Sequence, residues 1–518
     1  MEFLSSEKKH SFNRPLVGAT VLVVVLVWFL VIHFTSPLRT FPGPFWARWT
    51  NIWRLYQVST DKYQWTIKRL HEKYGPVVRI GPNLLDLDYP ELIQTLYSTD
   101  GKWNKTEFYQ SLSVVVDGKI THDVFSTSNQ AEHARMKRPI VKYYSMSSVL
   151  KLETRANDVL SDLCRHLEHR FMDGENEGKD CNFGEWIAFY TWDFISAATL
   201  STRFGFMEKA DDVDDTIRIS DKGIHYFAMV GQMPFLDFLL AKNPIKRIGP
   251  PNLQNANRIA LEHMFGRFKE DLDSKEVETR DFLDHFIEAK KMAPDSVDEN
   301  LIMCSLLVNL IAGADTTATT LRAIFHFLMT NPHTLKKLEQ EVLAANFEPE
   351  GVVPYSSARA LPYLDAVIRE SMRMHPAVCM PLERYVPDSG LTLPDGSFVP
   401  SGTAVGINPY IVGRNEGVWG PDANEFLPER WLKNDGEDND TYKRRLRQMN
   451  AADLAFGGGS RICLGRNVAL LEIYKVVATL VLRYKILPSK VPKEFVIFSS
   501  WFSRQLGLVC RLEKRQVT

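Results

Sequence analysis

The sequence has almost no net charge: 62 Lys and Arg stand against 63 Asp and Glu over 518 residues, −1 overall. That removes the global basic field by which nucleic-acid binders draw in their partners, so no nucleic acid is expected. Cysteine organisation is lacking too. Cys164, Cys181, Cys304, Cys379, Cys463 and Cys510 show neither CxxC nor framework spacing. A disulfide scaffold is therefore excluded, and the pattern suits reduced thiols in a cytosol-facing domain. No Gly/Ser or Pro run divides the interior, so one large domain is expected rather than several joined by linkers. The three glycines at 457–459 are followed by no P-loop Lys-Ser/Thr and have no strand-plus-acid context, which excludes the common phosphate loops.

What is present centres on Phe456-Gly-Gly-Gly-Ser-Arg-Ile-Cys-Leu-Gly465, followed by Arg466-Asn-Val-Ala-Leu-Leu-Glu-Ile-Tyr-Lys475, which reads as the opening of a helix. Cys463 thus stands at a helix N-terminus, where unpaired N–H groups and the dipole favour thiolate over thiol. A lone cysteine near glycines is more often an inert, buried small hydrophobe. The full pattern Phe-x-x-Gly-x-Arg-x-Cys-x-Gly, carried by Phe456, Gly459, Arg461, Cys463 and Gly465, resembles the cysteine-ligand loop of the cytochrome P450 family at every fixed position. The resemblance implies haem b (iron protoporphyrin IX) with Cys463 as its axial iron ligand, a thiolate that pushes electron density onto the metal. It implies Phe456 beside the cofactor.

Taken in order, Leu16 to Phe34 is almost unbroken apolar. At 1.5 Å per residue it spans a hydrocarbon core of roughly 30 Å. It is long for a signal h-region, and no small-x-small cleavage site follows. Residues 1–35 are therefore expected as tail and transmembrane anchor, 36–50 as a proline-rich hinge, and 51–518 as the haem-thiolate catalytic domain. Anchor plus hinge resembles microsomal members of the family. Lys8, Lys9 and Arg14 before the anchor would keep the N-terminus cytoplasmic. The resemblance implies the reverse: a single pass in the endoplasmic reticulum membrane with the catalytic domain in the cytosol.

Tyr74 to Asp88 reads as two short strands around the Gly81-Pro82 turn. His133 and Lys137 lie one turn apart on an expected helix. Taken alone they read as a solvated face; the resemblance implies a haem propionate between them. The family's Trp-x-x-x-Arg variant is absent, with Gln130 and Ala134 in its place. Ser296-Val-Asp-Glu299 reads as a capping box opening a helix that runs to Asn331-Pro332. In its middle, Ala312-Gly-Ala-Asp-Thr-Thr317 taken alone reads as a helix–helix contact with a polar patch. The stretch resembles the family's oxygen-binding groove, which implies that Asp315 and Thr316 relay protons during oxygen activation.

Leu361 to Met374 is a further helix, with Pro362 suited to its first turn. Glu370 and Arg373 match the family's Glu-x-x-Arg, and Phe426-Leu-Pro-Glu-Arg-Trp431 supplies Arg430 as the third member of a structural clamp. Arg384 and Arg461 are the remaining expected propionate ligands. An acidic patch at 435–440 precedes Lys443, Arg444, Arg445 and Arg447. Both read as solvated surface, and the basic group also suits a reductase docking face. Phe495 to Phe502 resembles the hairpin whose turn enters the substrate chamber, for which Val308, Ile311, Ala312, Val378 and Trp501 are candidates.

The expected fold is the family's: mainly α with small β-sheets, a single large haem domain behind an N-terminal transmembrane helix. The expected activity is monooxygenation of a hydrophobic small molecule, with NADPH electrons from cytochrome P450 reductase and cytochrome b5 as a second donor. In Lys102 to Tyr109 and in the Asp453-Leu-Ala-Phe-Gly lead-in, the chain is similar to fungal members such as pisatin demethylase and benzoate hydroxylase. That points to specialised metabolism. Two rival readings are a haem-thiolate isomerase or peroxide-rearranging enzyme, and a non-catalytic haem-binding membrane protein; the Asp315-Thr316 pair speaks against the first.

Overall fold

Apolar stripes on consecutive helices have to be buried against one another, and here one long helix collects them. The structure, a computed structural model, describes residues 14–116, 118–250, 254–269, 276, 280–491 and 493–515. Lys8 and Lys9 lie outside the described residues. The helices that position the site are α1 (Arg14–Thr35), α2 (Gln130–Ile140), α3 (Phe183–Leu200), α4 (Thr216–Val230), α5 (Glu299–Thr330), α6 (Pro362–Met374), α7 (Asn439–Ala452) and α8 (Arg466–Arg483).

α5 is the spine, 32 residues and about 48 Å long. It packs on α3, α6 and α8, and the largest apolar cluster forms around these four. The closest approach is at Gly313, where a Cβ would stand 2.7 Å from the Ile195 side chain of α3. By length and composition α5 could cross a bilayer, but its burial among these neighbours marks it as a core helix. Its start differs from expectation. Asp298 caps it by accepting from the Leu301 N–H at 2.7 Å, while Ser296 lies in the preceding turn. The Asp298 frame satisfies the Leu301 N–H of the first turn, and the helix begins at Glu299.

Strands β1 (Val77–Gly81), β2 (Leu84–Leu87), β3 (Arg384–Tyr385) and β4 (Ala404–Ile407) form a sheet in the order β1-β2-β4-β3. β1 and β2 are the expected antiparallel pair, Val77 opposite Leu87, and β4 runs parallel to β2. β5 (Val496–Ser499) and β6 (Ser503–Leu506) make the expected C-terminal hairpin.

The stretch 36–50 is no loose hinge. Leu38 and Phe41 are buried, and the Arg79 side chain of β1 donates to Leu38 O (3.1 Å), Ser36 Oγ (2.9 Å) and Arg48 O (3.3 Å). The Arg79 N–H donates to Pro42 O at 2.7 Å, and Gly43 packs so near that a Cβ would lie 2.2 Å from the Arg79 carbonyl. Residues 36–50 thus pack against β1, where the carbonyls of Leu38, Pro42 and Arg48 serve as acceptors for Arg79. α1 exposes Val23, Val24, Val27, Leu30 and Phe34 to the surroundings.

Candidate functional site

Cys463 is open, while the other five cysteines are buried and unpaired with one another. Its N–H donates to Phe456 O at 2.8 Å, closing the glycine loop, and α8 begins three residues later at Arg466. The Phe456 ring lies 5.8 Å from the Arg466 guanidinium. Although Cys463 is exposed, the protein around its recess desolvates the thiol and raises it above the ordinary value. The N–H groups of Gly465 and Arg466 and the charges of Arg466 and Lys137 oppose that rise without cancelling it. The expected thiolate bias of the helix terminus is therefore real but outweighed. A thiol of this kind fits a metal ligand that gives up its proton on binding.

Beside the recess stands a cluster of basic groups with no carboxylate among its hydrogen-bond partners in the described residues. Arg461 donates to Gln130 Oε1 (3.1 Å) and to the carbonyls of Thr127 (2.9 Å) and Asn129 (3.3 Å). Lys137 Nζ donates to Ser460 O at 2.7 Å, and Arg384 to Glu383 O at 2.8 Å. His133 is buried, and its imidazole is pushed down to about 3 by burial and by Arg461, Lys137, Lys105 and Arg384. It is a neutral donor at physiological pH, not the second cation of a cationic pair. Arg461 is pushed down to about 10, by burial and then by Arg384. Gln130, at the place of the missing tryptophan, holds Arg461 in position and donates to Ser460 Oγ at 3.3 Å. The donor set fits the two carboxylates of haem b, which supply the charge this cluster lacks.

α5 contributes the other wall. Along its middle, Val308, Ile311, Ala312, Asp315 and Thr316 are half-buried, at the i, i+3, i+4, i+7, i+8 spacing of one face. Of the three small residues only Ala312 leaves room on this face, since Gly313 is filled by Ile195 and Ala314 is buried. Thr316 Oγ1 donates to Ala312 O at 2.6 Å. Asp315 accepts from Ser220 Oγ of α4 at 2.6 Å. Its carboxyl is pushed up to about 6 by burial, with the Ser220 hydrogen bond and the Arg322 charge opposing and Asp212 adding to the rise.

Ile311 and Val378 pack on an aromatic group around Trp501, the turn residue between β5 and β6. The Trp501 ring lies 5.4 Å from Phe108 and from Phe227, 5.9 Å from Tyr109 and 6.0 Å from Phe125. Glu370, Arg373 and Arg430 meet, all buried: Glu370 accepts from Arg373 (2.7 and 2.8 Å), Arg430 (2.9 Å) and the Trp431 indole (3.0 Å). Arg445 does not belong to an open basic face. It donates to both oxygens of Glu437 (3.0 and 2.7 Å) and to Leu432 O (2.8 Å), while Lys443, Arg444 and Arg447 remain exposed.

Lys105 and Ser220 carry site geometry that the sequence reading missed. Lys105 is one of two lysines in the stretch Lys102 to Tyr109, and Ser220 meets Asp315 across 95 residues of chain; no local pattern marks either.

An open cysteine at a helix head, a cationic cluster lacking its anions, and an apolar wall with one acid and one alcohol together define a haem-thiolate protein. The chain belongs to the cytochrome P450 family: the family model Cytochrome P450 matches residues 42–507. It is 45% identical over 498 residues to cytochrome P450 monooxygenase cfoH of Aspergillus candidus, covering 96% of this chain and 92% of the relative. It is also similar to two monooxygenases of Emericella nidulans. One is cicH, 36% identical over 501 residues (95% and 97% covered), and the other is pkfB, 34% over 519 residues (98% and 98%). The chain is accordingly a monooxygenase, an oxidoreductase of this family that binds haem b through a cysteine thiolate and works with a redox partner on a small molecule.

Proposed function

We propose that this chain inserts one oxygen atom from dioxygen into a hydrophobic small molecule in fungal specialised metabolism. Its electrons come from NADPH through cytochrome P450 reductase, with cytochrome b5 as a second donor. One observation carries the reading: Asp315 and Thr316 share a half-open face with Val308, Ile311 and Ala312, on the helix against which α8, the helix that follows the Cys463 loop, packs. Haem b held by a thiolate supplies the oxygen-activating centre. Cys463 ligates it; His133, Lys137, Arg384 and Arg461 hold its propionates; Glu370, Arg373 and Arg430 fix the loop beneath. The Thr316 hydroxyl spends its proton on Ala312 O, which leaves its lone pairs to hold a water at Oγ1. Asp315, with a carboxyl near 6, changes charge within the working range and passes protons inward. The apolar wall of Val308, Ile311, Val378 and Trp501 excludes bulk water and accepts a lipophilic substrate.

In this reading α1 anchors the protein in the endoplasmic reticulum membrane by a single pass, with the domain in the cytosol. Its 22 residues reach about 33 Å, its outer side chains are apolar, and no described cysteine is in a disulfide. The relatives named above are fungal, which supports the biological setting.

The test is product formed per NADPH oxidised with purified reductase, wild type against Thr316→Ala. A positioned proton donor is worth ~100-fold or more to such a step, so the variant should bind haem and substrate yet divert most electrons to hydrogen peroxide or water. An isomerase turns over without NADPH in both proteins, and a scaffold consumes none. An unchanged ratio removes the relay from the mechanism.

A further inference from the structure

Lys105 brings to the basic cluster a charge from outside the motifs. Its backbone bridges that of Arg384, and Tyr385 N–H donates to Asn104 O at 2.8 Å, so the segment is laid against β3. The side chain is buried. Nζ donates to Phe125 O at 2.6 Å and stands 4.1 Å from the ring centroids of both Tyr109 and Phe125. None of these contacts neutralises it. The carboxylate whose field reaches it, Asp123, forms no ion pair with it; Asp123 Oδ1 accepts instead from the N–H groups of Phe125 (2.6 Å) and Ser126 (2.7 Å). Glu383, next to Arg384, is already taken by Arg54 and Thr106.

A buried ammonium is costly unless it meets an anion. Here burial, Arg384 and Arg461 all push its proton off, well below the ordinary lysine value. Two aromatic faces attract a cation without removing its charge, so the clamp fixes the ammonium in place and leaves it in need of an anionic partner. The same two rings touch Trp501, which sets Lys105 at the boundary between the basic cluster and the aromatic chamber.

We propose that Lys105 binds a haem propionate, completing with Arg384 and Arg461 a three-cation cradle whose lysine is held in register by the rings of Tyr109 and Phe125. This rests on haem occupying the recess beside Cys463. Arg384 and Arg461 keep part of their donor capacity on backbone carbonyls, and Lys105 adds a point charge held between the two rings.

The experiment is transfer of cofactor from holoprotein to excess apomyoglobin, near neutral pH, for wild type, Lys105→Met and Lys105→Arg. Each protein is loaded either with iron protoporphyrin IX or with its dimethyl ester, which has the same ring and no propionate charge. Lys105→Met should lose protohaem about 10-fold faster, the worth of one charge-assisted hydrogen bond. Lys105→Arg should restore most of the retention, and with the ester all three proteins should lose cofactor at one rate. Lys105→Gln serves the same comparison if the Met variant does not accumulate. Equal rates with protohaem overturn the proposal, and so does a difference that persists with the ester, which marks a purely structural lysine. A substrate carboxylate as the true partner would leave haem retention unchanged and weaken spectral binding of naphthoate relative to naphthalene, and that too overturns it. Should wild type itself hold no haem, the underlying site assignment fails rather than the role of Lys105.

Discussion

Two groups of buried arginine are finished in opposite ways in this molecule. Around Glu370, every charge is answered by the protein. Arg373 and Arg430 share Glu370, Arg430 also donates to Asp422 Oδ1 (3.0 Å), and their remaining donors reach the carbonyls of Ala423 (2.6 Å), Glu425 (2.9 Å) and Trp419 (2.7 Å). Around Arg461 and Arg384, donors reach carbonyls but no carboxylate, and Lys105, Lys137 and His133 crowd in beside them. The first group is complete without a ligand and fixes the loop before α7; the second is complete only when a dianion arrives. The first group is the more deeply buried, since Arg461 and Lys137 are only half-buried, and the two groups differ further in where the negative charge comes from.

The sharpest way to break this comparison is at Glu370. Glu370→Gln leaves Arg373 buried against a neutral amide while Arg430 keeps its pair with Asp422, a cost of about 3–5 kcal/mol. Urea unfolding should show that loss equally in protein with and without haem, and a loss confined to the haem-loaded form would erase the distinction drawn here. The mirror experiment is Arg461→Gln. With haem bound it should weaken retention ~10-fold or more, since it removes a charged donor to a carboxylate. The haem-free protein should be as stable as wild type or more so, because a repelling neighbour of Arg384 is gone. A destabilised haem-free protein would show that Arg461 is structural in the manner of Arg430.

A smaller effect sharpens the comparison at a single acid. Asp315, unlike Glu370, is buried with a hydroxyl rather than with arginine at hydrogen-bond distance. Its folded value lies above the ordinary carboxylate value, so ionising it costs stability. That cost sets in as pH rises past the ordinary value and is complete above about 6. Asp315→Asn should therefore gain stability relative to wild type as pH climbs through this window. Ser220→Ala removes a hydrogen bond that favours the carboxylate, so the midpoint of the pH dependence should move upward. A downward or absent move would mean that Ser220 does not set the charge of Asp315.

The same contrast explains what could be read from the chain alone. Glu370 with Arg373, Asp315 with Thr316, and Arg461 with Cys463 are each written within four residues, and their spacing on a helix or in a tight loop carries the geometry. Arg430 came from a second short motif. What stayed hidden depends on contacts across the chain. Lys105 acquires meaning only beside Arg384, Ser220 only beside Asp315, and the stretch 36–50 is fixed by the donors of Arg79 on a later strand. Arg445 read as one of a basic run, yet Glu437 and two main-chain carbonyls claim it. The start of α5 lies two residues later than the capping box implies because two capping frames overlap and the satisfied N–H of Leu301 decides between them.

All of this presumes that the open cysteine at the head of α8 is what the cofactor binds. Cys463→His, purified with haem, reduced and exposed to carbon monoxide, tests that most directly. The account predicts that wild type shows the red-shifted Soret band of a thiolate-ligated haem and that the variant shows none while losing monooxygenation. A variant that kept the red-shifted band would place the thiolate elsewhere in the chain and contradict the site described here.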